Sequence, residues 1–289
     1  MTGRNEIYSY GSDSSISKIN VIDKEIKKEK YNEGPIKRVE YVNNIAWGID
    51  NGYFHEDQTY KFNIINLDKN IKFTYDGLPM SHSKKENFIY IIINNFSKST
   101  LELLKFNTDD GSFDIYELKN IEENDKNTNF KIISLDEEII LIDSLNFDVY
   151  NIKYDNLGLL INNGNLSDYG MECLVNGKNP TQIYDFTASL DDNNLLIGVN
   201  DGANVKLIKI DKTTGILTQI LNDVGYGYTY VAKPAIDRDY MYISFIKHGE
   251  INTISKYNWK NNELVKETTL DAYFNKNKQI GNITMYEEE

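Results

Sequence analysis

The chain has few residues of the kinds that cross-link or interrupt a fold. Its 289 residues include one cysteine (Cys173), three histidines and four prolines. A single thiol excludes an internal disulfide and a thiolate metal site. No run of 18 apolar residues occurs, so we expect no membrane insertion, and the polar residues 1–10 do not resemble a signal peptide. The sequence therefore predicts a soluble protein that is cytoplasmic, part of a virion, or extracytoplasmic after removal of a leader.

Positive charge is also scarce. The formal net charge is −13 and the sequence pI is about 4.8. An acidic surface repels phosphate backbones, so we expect no nucleic acid partner, and anionic membrane is disfavoured for the same reason. We interpret the charge mainly as a source of solubility, with attraction of cations or basic partners as the alternative.

Asparagine and tyrosine are abundant instead. The 37 asparagines suit tight turns, because Asn tolerates left-handed backbone and hydrogen-bonds to its own main chain. The 21 tyrosines suit strands, as does the isoleucine-rich remainder of the chain. This composition favours many short strands joined by tight turns.

One hairpin pattern recurs six times along the chain. An alternating strand ends in an aromatic or aliphatic residue followed by Asp or Asn, and a short turn and a second strand follow. The Asp or Asn caps the amides of the turn, and a glycine such as Gly215 supplies the positive φ that closes it. The anchors lie 39 to 56 residues apart and are Ile22-Asp23, Leu67-Asp68, Phe106-Asn107, Tyr154-Asp155, Ile210-Asp211 and Tyr257-Asn258.

Other strands are in phase with each anchor strand, which we call strand c. Strand b precedes it as an apolar, β-branched run, and strand d follows the turn and is more polar, as an outer edge should be. Strand a precedes b and is expected to line a central channel. Strands a are predicted at residues 38–42, 80–83, 130–135, 183–188 and 231–236, and residues 281–287 supply the one missing from the first repeat.

These repeats predict an all-β fold, a six-bladed β-propeller with four-stranded antiparallel blades, in which a C-terminal strand completes the first blade. Counted across the termini, the last interval is 54 residues, which matches the period of the others. Residues 1–289 are predicted to form one domain. Its blades are expected at residues 281–289 together with 5–34, and at 36–77, 79–118, 129–163, 181–222 and 230–270.

Two segments carry a resemblance to known repeats. Residues 205–221, VKLIKIDKTTGILTQIL, resemble the c–turn–d hairpin of lactonase-like and YVTN-type bacterial propellers. Residues 188–201, ASLDDNNLLIGVND, resemble the a–b junction of those repeats and of TolB-type blades, where Ser-Pro-Asp-Gly is common. This chain departs from those repeats in two ways. Leu190 and Asn193, or residues near them, replace the Pro and the Gly. Lactonase-like propellers also usually have seven blades, whereas six are predicted here. The resemblance covers about one blade and implies the fold rather than one activity.

No catalytic motif is present. The chain lacks a nucleophile elbow, a P-loop, an HExxH helix and an EF-hand loop, so we predict no catalytic residues and no cofactor. His55 and His248 fall in b–c connections and His82 falls on a strand a, which is not the spacing of a metal triad.

One metal site is conceivable in the channel. Glu40 and Asp185 lie on strands a of opposite blades, and with Asn282, and His82 nearby, they offer the oxygen ligands that suit Ca²⁺. Basic residues on or next to the same strands argue against a dedicated cation cage; they are Lys37, Arg38, Lys131 and Lys233.

Two loops are candidates for a binding surface. Residues 225–230 place Tyr226, Tyr228 and Tyr230 among glycines, a composition that suits stacking on sugars or contacts with proteins. The alternative is that two of these tyrosines pack beneath the loop and one is exposed. Residues 163–181 form the longest irregular insert, which is either a functional loop or a neutral surface insertion.

The sequence favours a non-enzymatic scaffold, from an AT-rich bacterial or phage genome, that binds a protein or carbohydrate partner through one face. One alternative is a lactonase-like or calcium-dependent hydrolase with its site in the channel. Another is a structural component of a larger assembly, such as a virion or surface layer, which would expose a contiguous apolar patch.

Overall fold

The computed structural model is built from short strands and turns. No helix in the part of the chain that it describes has the length and apolarity to cross a membrane. The described residues are 6–10, 15–20, 26–30, 36–43, 45–50, 52–54, 59–119, 130–144, 146–166, 182–183, 188–191, 193–200, 205–211, 217–221, 230–231, 235–246, 253–261 and 263–269.

The first two sheets lie in the N-terminal quarter of the chain. The first has the order β1-β2-β3 and comprises Glu6–Tyr10, Ser15–Asn20 and Ile26–Lys30. In the second, β4 (Ile36–Val42), β5 (Ile45–Asp50) and β7 (Tyr60–Asn66) are adjacent. Two further strands pair with β7, namely β6 (Tyr53–Phe54) and β8 (Ile71–Asp76).

The third and fourth sheets each have four strands in sequential antiparallel order. The third comprises β9 (Leu78–Lys85), β10 (Phe88–Asn95), β11 (Thr100–Asn107) and β12 (Phe113–Glu117). The fourth comprises β13 (Phe130–Ser134), β14 (Glu138–Asp143), β15 (Asp148–Lys153) and β16 (Ile161–Asn165).

In the last two sheets the described residues at the a position form two short pieces. The fifth sheet has β17 (Gln182–Ile183) and β18 (Ala188–Ser189), both paired with β19 (Asn194–Asn200), then β20 (Val205–Asp211) and β21 (Leu217–Leu221). The sixth has β22 (Tyr230–Val231) and β23 (Ala235–Asp237), both paired with β24 (Tyr240–Ile246), then β25 (Thr253–Asn258) and β26 (Glu263–Thr269).

The predicted strand order a–b–c–d is confirmed in these antiparallel sheets, and so is the all-β class. For the strands a predicted at residues 183–188 and 231–236, the structure describes a short piece near each end, namely β17 and β18 in one case and β22 and β23 in the other. Strand d of the fourth sheet, β16, corrects the proposed insert at 163–181, because residues 163–165 belong to this strand. The predicted closing strand at 281–287 lies outside the described residues, so the blade count and the closure stay predictions.

Contacts divide the chain into two compact units. One contains residues 1–51, 63–74 and 223–289, and the other contains residues 52–62 and 75–222. The boundaries predicted for a single domain and its blades stay a prediction.

In the second unit, successive sheets pack face to face through alternate residues of one strand. Ile139 and Leu141 of β14 join the apolar cluster shared with the third sheet, which includes Tyr90. Ile140 and Ile142, which point to the opposite side, join the cluster shared with the fifth sheet. All four are at most 3% exposed. A fully buried aliphatic side chain contributes about 1.5–3 kcal/mol, so both faces of this sheet hold the unit together.

Serine side chains form hydrogen bonds between the third and fourth sheets. Ser81 Oγ accepts a hydrogen bond from the Ile132 amide at 3.3 Å, and Ser83 Oγ accepts one from the Ser134 amide at 2.9 Å. Both hydrogen bonds join β9 to β13, which are the a strands of their sheets. Polar residues on a strand at the a position therefore help to join neighbouring sheets.

The turns after strand c follow the predicted capping in two described cases and depart from it in another. Asn107 Oδ1 accepts the Asp109 amide and Asn258 Oδ1 accepts the Lys260 amide, each at 3.0 Å. In the second sheet the cap is Asn66, whose Oδ1 accepts the amides of two following residues. The expected cap there, Asp68, is bonded instead by the Ala46 amide.

The outer strands d expose apolar side chains as well as polar ones. Six large apolar side chains on these strands are 41–52% exposed, and they are Ile71, Phe113, Ile115, Ile161, Leu264 and Val265. They are spread over four sheets rather than gathered on one strand. The contiguous apolar patch expected of an assembly subunit stays a prediction.

Tyr75, at the end of β8, lies in an aromatic cluster. Its ring centroid is 5.5 Å from Phe62, 6.4 Å from Phe106 and 4.7 Å from Phe113. The side chain is 5% exposed, and burial raises the pKa of its hydroxyl well above the usual value for tyrosine. Among the described residues this hydroxyl has no hydrogen-bond partner.

Removing that hydroxyl is expected to be harmless. Tyr75→Phe should leave the free energy of unfolding unchanged or raise it by up to about 1 kcal/mol, because a buried hydroxyl without a partner is unfavourable. Tyr154→Phe is the matched control: the Tyr154 hydroxyl donates to the Leu135 carbonyl at 2.8 Å, so its removal should cost about 1 kcal/mol. Urea denaturation compares the two, and an equal loss in both variants would show that Tyr75 does have a partner.

Candidate functional site

The predicted binding tyrosines are mostly beyond the described part of the chain. Tyr226 and Tyr228 lie outside it, and Tyr230 is the first residue of β22. Their role in binding stays a prediction.

The predicted metal ligands are described only in part. Glu40 lies on β4 and is 4% exposed, and His82 lies on β9 and is 6% exposed. Asp185 and Asn282 lie outside the described residues. Within the described ranges, no group of three or more His, Cys, Asp or Glu residues could hold a metal ion. The calcium site and the hydrolase built on it stay predictions.

A tightly bonded turn joins β10 to β11, at the end of the third sheet where strand b passes to strand c. Asn95 begins it, with its Oδ1 accepting the Lys98 amide at 3.3 Å and its Nδ2 donating to Glu102 Oε2 at 3.1 Å. Glu102 Oε1 accepts from Lys98 Nζ at 3.0 Å and from Thr100 Oγ1 at 3.2 Å. Asn95 and Glu102 are 2% and 3% exposed. Buried, satisfied polar groups of this kind hold a turn in one conformation.

This turn presents an aromatic side chain to solvent. Phe96 is 52% exposed, and its ring lies 6.0 Å from that of Tyr60 at an interplanar angle of 60°. The backbone of Tyr60 is held in place, because its carbonyl accepts a hydrogen bond from the Gly77 amide at 2.6 Å. The pair belongs to one compact unit. We call Tyr60 and Phe96 the aromatic pair.

The arrangement suits the binding of a partner. A rigid, exposed aromatic face can stack on a sugar ring or on an aromatic or apolar side chain. Lys98, whose side chain is 61% exposed, lies within two residues of Phe96.

Sequence reasoning missed this turn. The segment Asn95-Phe96-Ser97 matches a glycosylation sequon, but Asn95 is too deeply buried to accept a glycan in the folded chain. The available signal was an aromatic residue inside a short turn of polar residues, where turn chemistry alone does not require one.

A buried Asp or Asn recurs at the end of strand b in three neighbouring sheets. Asp50, Asn95 and Asp143 occupy this place and are 0%, 2% and 0% exposed. The Asn63 amide and Nδ2 bond to Asp50 at 2.8 and 2.6 Å, and the Asn146 amide and Nδ2 bond to Asp143 at 3.1 and 2.9 Å. Each of these side chains bonds to a residue of the following turn or of strand c in its own sheet.

Comparison with solved structures shows the fold. The structure of U3-55K aligns with 92% of this chain and 79% of its own, with a TM-score of 0.56 and 9% identity. YCF48 bound to D1 peptide aligns over 93% and 79%, with a TM-score of 0.53 and 9% identity. A protein from Lactobacillus plantarum aligns over 91% and 82%, with a TM-score of 0.51 and 14% identity. These are β-propeller proteins, and at such identities the likeness establishes the fold alone.

No family model matches the chain, and no curated protein matches it either.

Proposed function

We propose that this β-propeller is a non-enzymatic scaffold that binds a protein or carbohydrate partner through the b–c end of its sheets. The observation that carries the proposal is Phe96, which is held half-exposed on a turn braced by Asn95 and Glu102. Exposing an aromatic ring to water is unfavourable. A turn that nevertheless fixes one in place is organised in advance for contact with a partner.

Rigidity is the second support. Binding orders side chains and loops at a cost of about 0.5–1.5 kcal/mol for each mobile side chain. The aromatic pair avoids much of that cost, because Phe96 sits in a bonded turn and Tyr60 packs against it. Aromatic residues are also enriched among those that dominate binding energy at interfaces.

The fold and the charge agree with this role. Among similar structures, YCF48 was solved with a bound peptide, so a propeller of this size can hold one. A net charge of −13 favours a partner that is neutral or basic over one that is acidic. The proposal also includes six blades, supported by the six spaced anchors and by the six antiparallel sheets among the described residues.

The test is a comparison of two phenylalanine variants. Wild-type protein is screened on a glycan array and a peptide display library, and the best ligand is titrated against Phe96→Ala and Phe113→Ala. Phe113 is 51% exposed but lies on the outer strand β12, so it matches Phe96 in chemistry and exposure. We expect about tenfold weaker binding for Phe96→Ala, a typical loss at a binding hot spot, and little change for Phe113→Ala.

Thermal melts of both variants check that the fold is kept. Unchanged binding by Phe96→Ala would refute the site. A larger loss for Phe113→Ala would place binding on the outer strands, as expected of an assembly subunit.

A further inference from the structure

A small pocket lies between the fourth and fifth sheets, away from the aromatic pair. Its volume is about 60 Å³. Three polar side chains line it, namely Glu138, Asn151 and Asn163. The rest of the lining is aliphatic and consists of Ile140, Ile142, Val149, Leu166, Leu195 and Ile210.

The orientation of the Asn151 amide is determined by its neighbours. Its Nδ2 lies 3.0 Å from Glu138 Oε2, which also accepts from Lys153 Nζ at 2.6 Å. A carboxylate paired with a lysine accepts hydrogen bonds and does not donate them. The NH₂ group must therefore face Glu138, and the Asn151 carbonyl oxygen, Oδ1, is left on the other side of the amide.

Asn151 Oδ1 is buried and has no hydrogen-bond partner among the described residues. A buried acceptor without a donor costs about 1–3 kcal/mol. Asn151 lines the pocket, so a bound group that carries an N–H or O–H can supply the donor from there after a small rotation of the amide.

Size and polarity narrow the class of ligand. An engineered apolar cavity of about 150 Å³ binds benzene, so a pocket of about 60 Å³ is too small for a ring and suits a group of a few heavy atoms. A water molecule offers donors but no apolar contact to the six aliphatic residues. A purely aliphatic group would contact these six aliphatic residues, which we call the floor of the pocket, but it would leave Asn151 Oδ1 without a donor.

We propose that this pocket binds an acetamido group. Its methyl group contacts the aliphatic floor, and its N–H donates to Asn151 Oδ1. The exposed amide of Asn163 lies at the mouth, where it can donate to the acetamido carbonyl. The same group occurs on N-acetylated sugars and on acetylated lysine. This inference does not depend on the aromatic pair, which shares no residue with the pocket.

The experiment uses the isoleucine, leucine and valine methyl groups of the floor as reporters. Methyl-labelled protein is titrated with N-acetylglucosamine, with Nε-acetyl-lysine, and with glucose and lysine as matched compounds without the acetamido group. We expect shifts concentrated at the methyl groups of the floor for the two acetamides and no such shifts for the other two. The same titrations are repeated with Asn151→Leu, which keeps the size but removes the acceptor, and with Asn163→Ala.

Asn151→Leu is expected to weaken acetamide binding about tenfold, the typical effect of one hydrogen bond to a buried group. Asn156→Leu is the control, because Asn156 is an exposed turn residue of the same sheet that does not line the pocket. Asn163→Ala, on the exposed outer strand, gives a second test if Asn151→Leu does not fold.

Each outcome decides the proposal. Shifts with both acetamides, or with one alone, support it and identify whether the source is the sugar or the lysine. Equal shifts with glucose, unchanged affinity in both pocket variants, or no shift at the floor would overturn it and leave a pocket that holds only water.

Discussion

Replacing Gly77 with alanine is expected to lower the free energy of unfolding by about 2–5 kcal/mol. Gly77 joins strand d of the second sheet to strand a of the third, with φ +112°, a conformation that side-chain-bearing residues rarely adopt. An added Cβ would overlap Ile93 Cγ2 and lie 3.1 Å from the Asn94 carbonyl oxygen. Ile93 is fully buried and β-branched, so it has little freedom to move away.

Gly158→Ala is the matched control for this substitution. Gly158 also lies in a turn of the second unit, but its φ is not positive and an added Cβ would meet only the Glu117 carbonyl oxygen, at 3.3 Å. We expect a loss below about 1 kcal/mol there. Urea denaturation of both variants measures the difference, and equal stabilities would contradict the close packing at Gly77.

Gly77→Ala should also weaken binding at the proposed surface. The Gly77 amide donates to the Tyr60 carbonyl at 2.6 Å, and Tyr60 packs against Phe96. A shift of the backbone to relieve the Ile93 overlap would therefore move the aromatic pair, and partner binding would fall even at temperatures where the variant remains folded.

Asn63→Ala is expected to be the second large effect, with a loss of about 2–4 kcal/mol. The Asn63 side chain is fully buried and donates to Asp50 Oδ2 at 2.6 Å, and its own Oδ1 accepts from Thr74 Oγ1 at 2.7 Å. Alanine removes a donor from the buried Asp50 carboxylate, and water does not replace that donor at such depth. It also removes an acceptor from the hydroxyl of Thr74, an exposed residue, where water can take its place.

Asn87→Ala is the control that shows how much of the loss in Asn63→Ala is due to burial, because it removes a similar hydrogen bond at an exposed site. Asn87 Nδ2 donates to Asp109 Oδ2, also at 2.6 Å, but this pair is exposed. Water replaces the lost bond there, so we expect a change within about 0.5 kcal/mol. Chemical denaturation of the two variants gives the comparison, and similar losses would mean that the Asp50 network adds nothing beyond an ordinary surface contact.

The local structure followed from the sequence to a large degree. Strands b were recognisable as apolar runs, and β5, β10, β14, β19 and β24 lie where those runs predict them. The capping by Asn107 and Asn258 was also predictable, because an Asx cap depends on residues two positions apart. The end of strand d in the fourth sheet was placed too early, at residue 163, since Ile161–Asn165 contains one apolar residue and a glycine and has no alternation to detect.

The candidate site followed from the sequence much less. Phe96 is one of 12 phenylalanines, and only its 52% exposure beside Tyr60 distinguishes it from the buried Phe62 and Phe106. Asn151 looked like one asparagine among 37, and only the pocket between two sheets gives its carbonyl a role. Neither property is encoded by residues near in sequence.

What the sequence determined by itself is the repeating unit: antiparallel strands in the order a–b–c–d, joined by turns that Asp, Asn and Gly close. These features depend on alternation and on hydrogen bonds within a few residues, so a single chain segment contains all the information they need. What the tertiary structure decided is which polar and aromatic side chains are buried, braced or exposed. That outcome depends on contacts between strands and sheets, such as Tyr60 with Phe96, Asp50 with Asn63 and Asn151 with Glu138, whose partners the repeat does not specify.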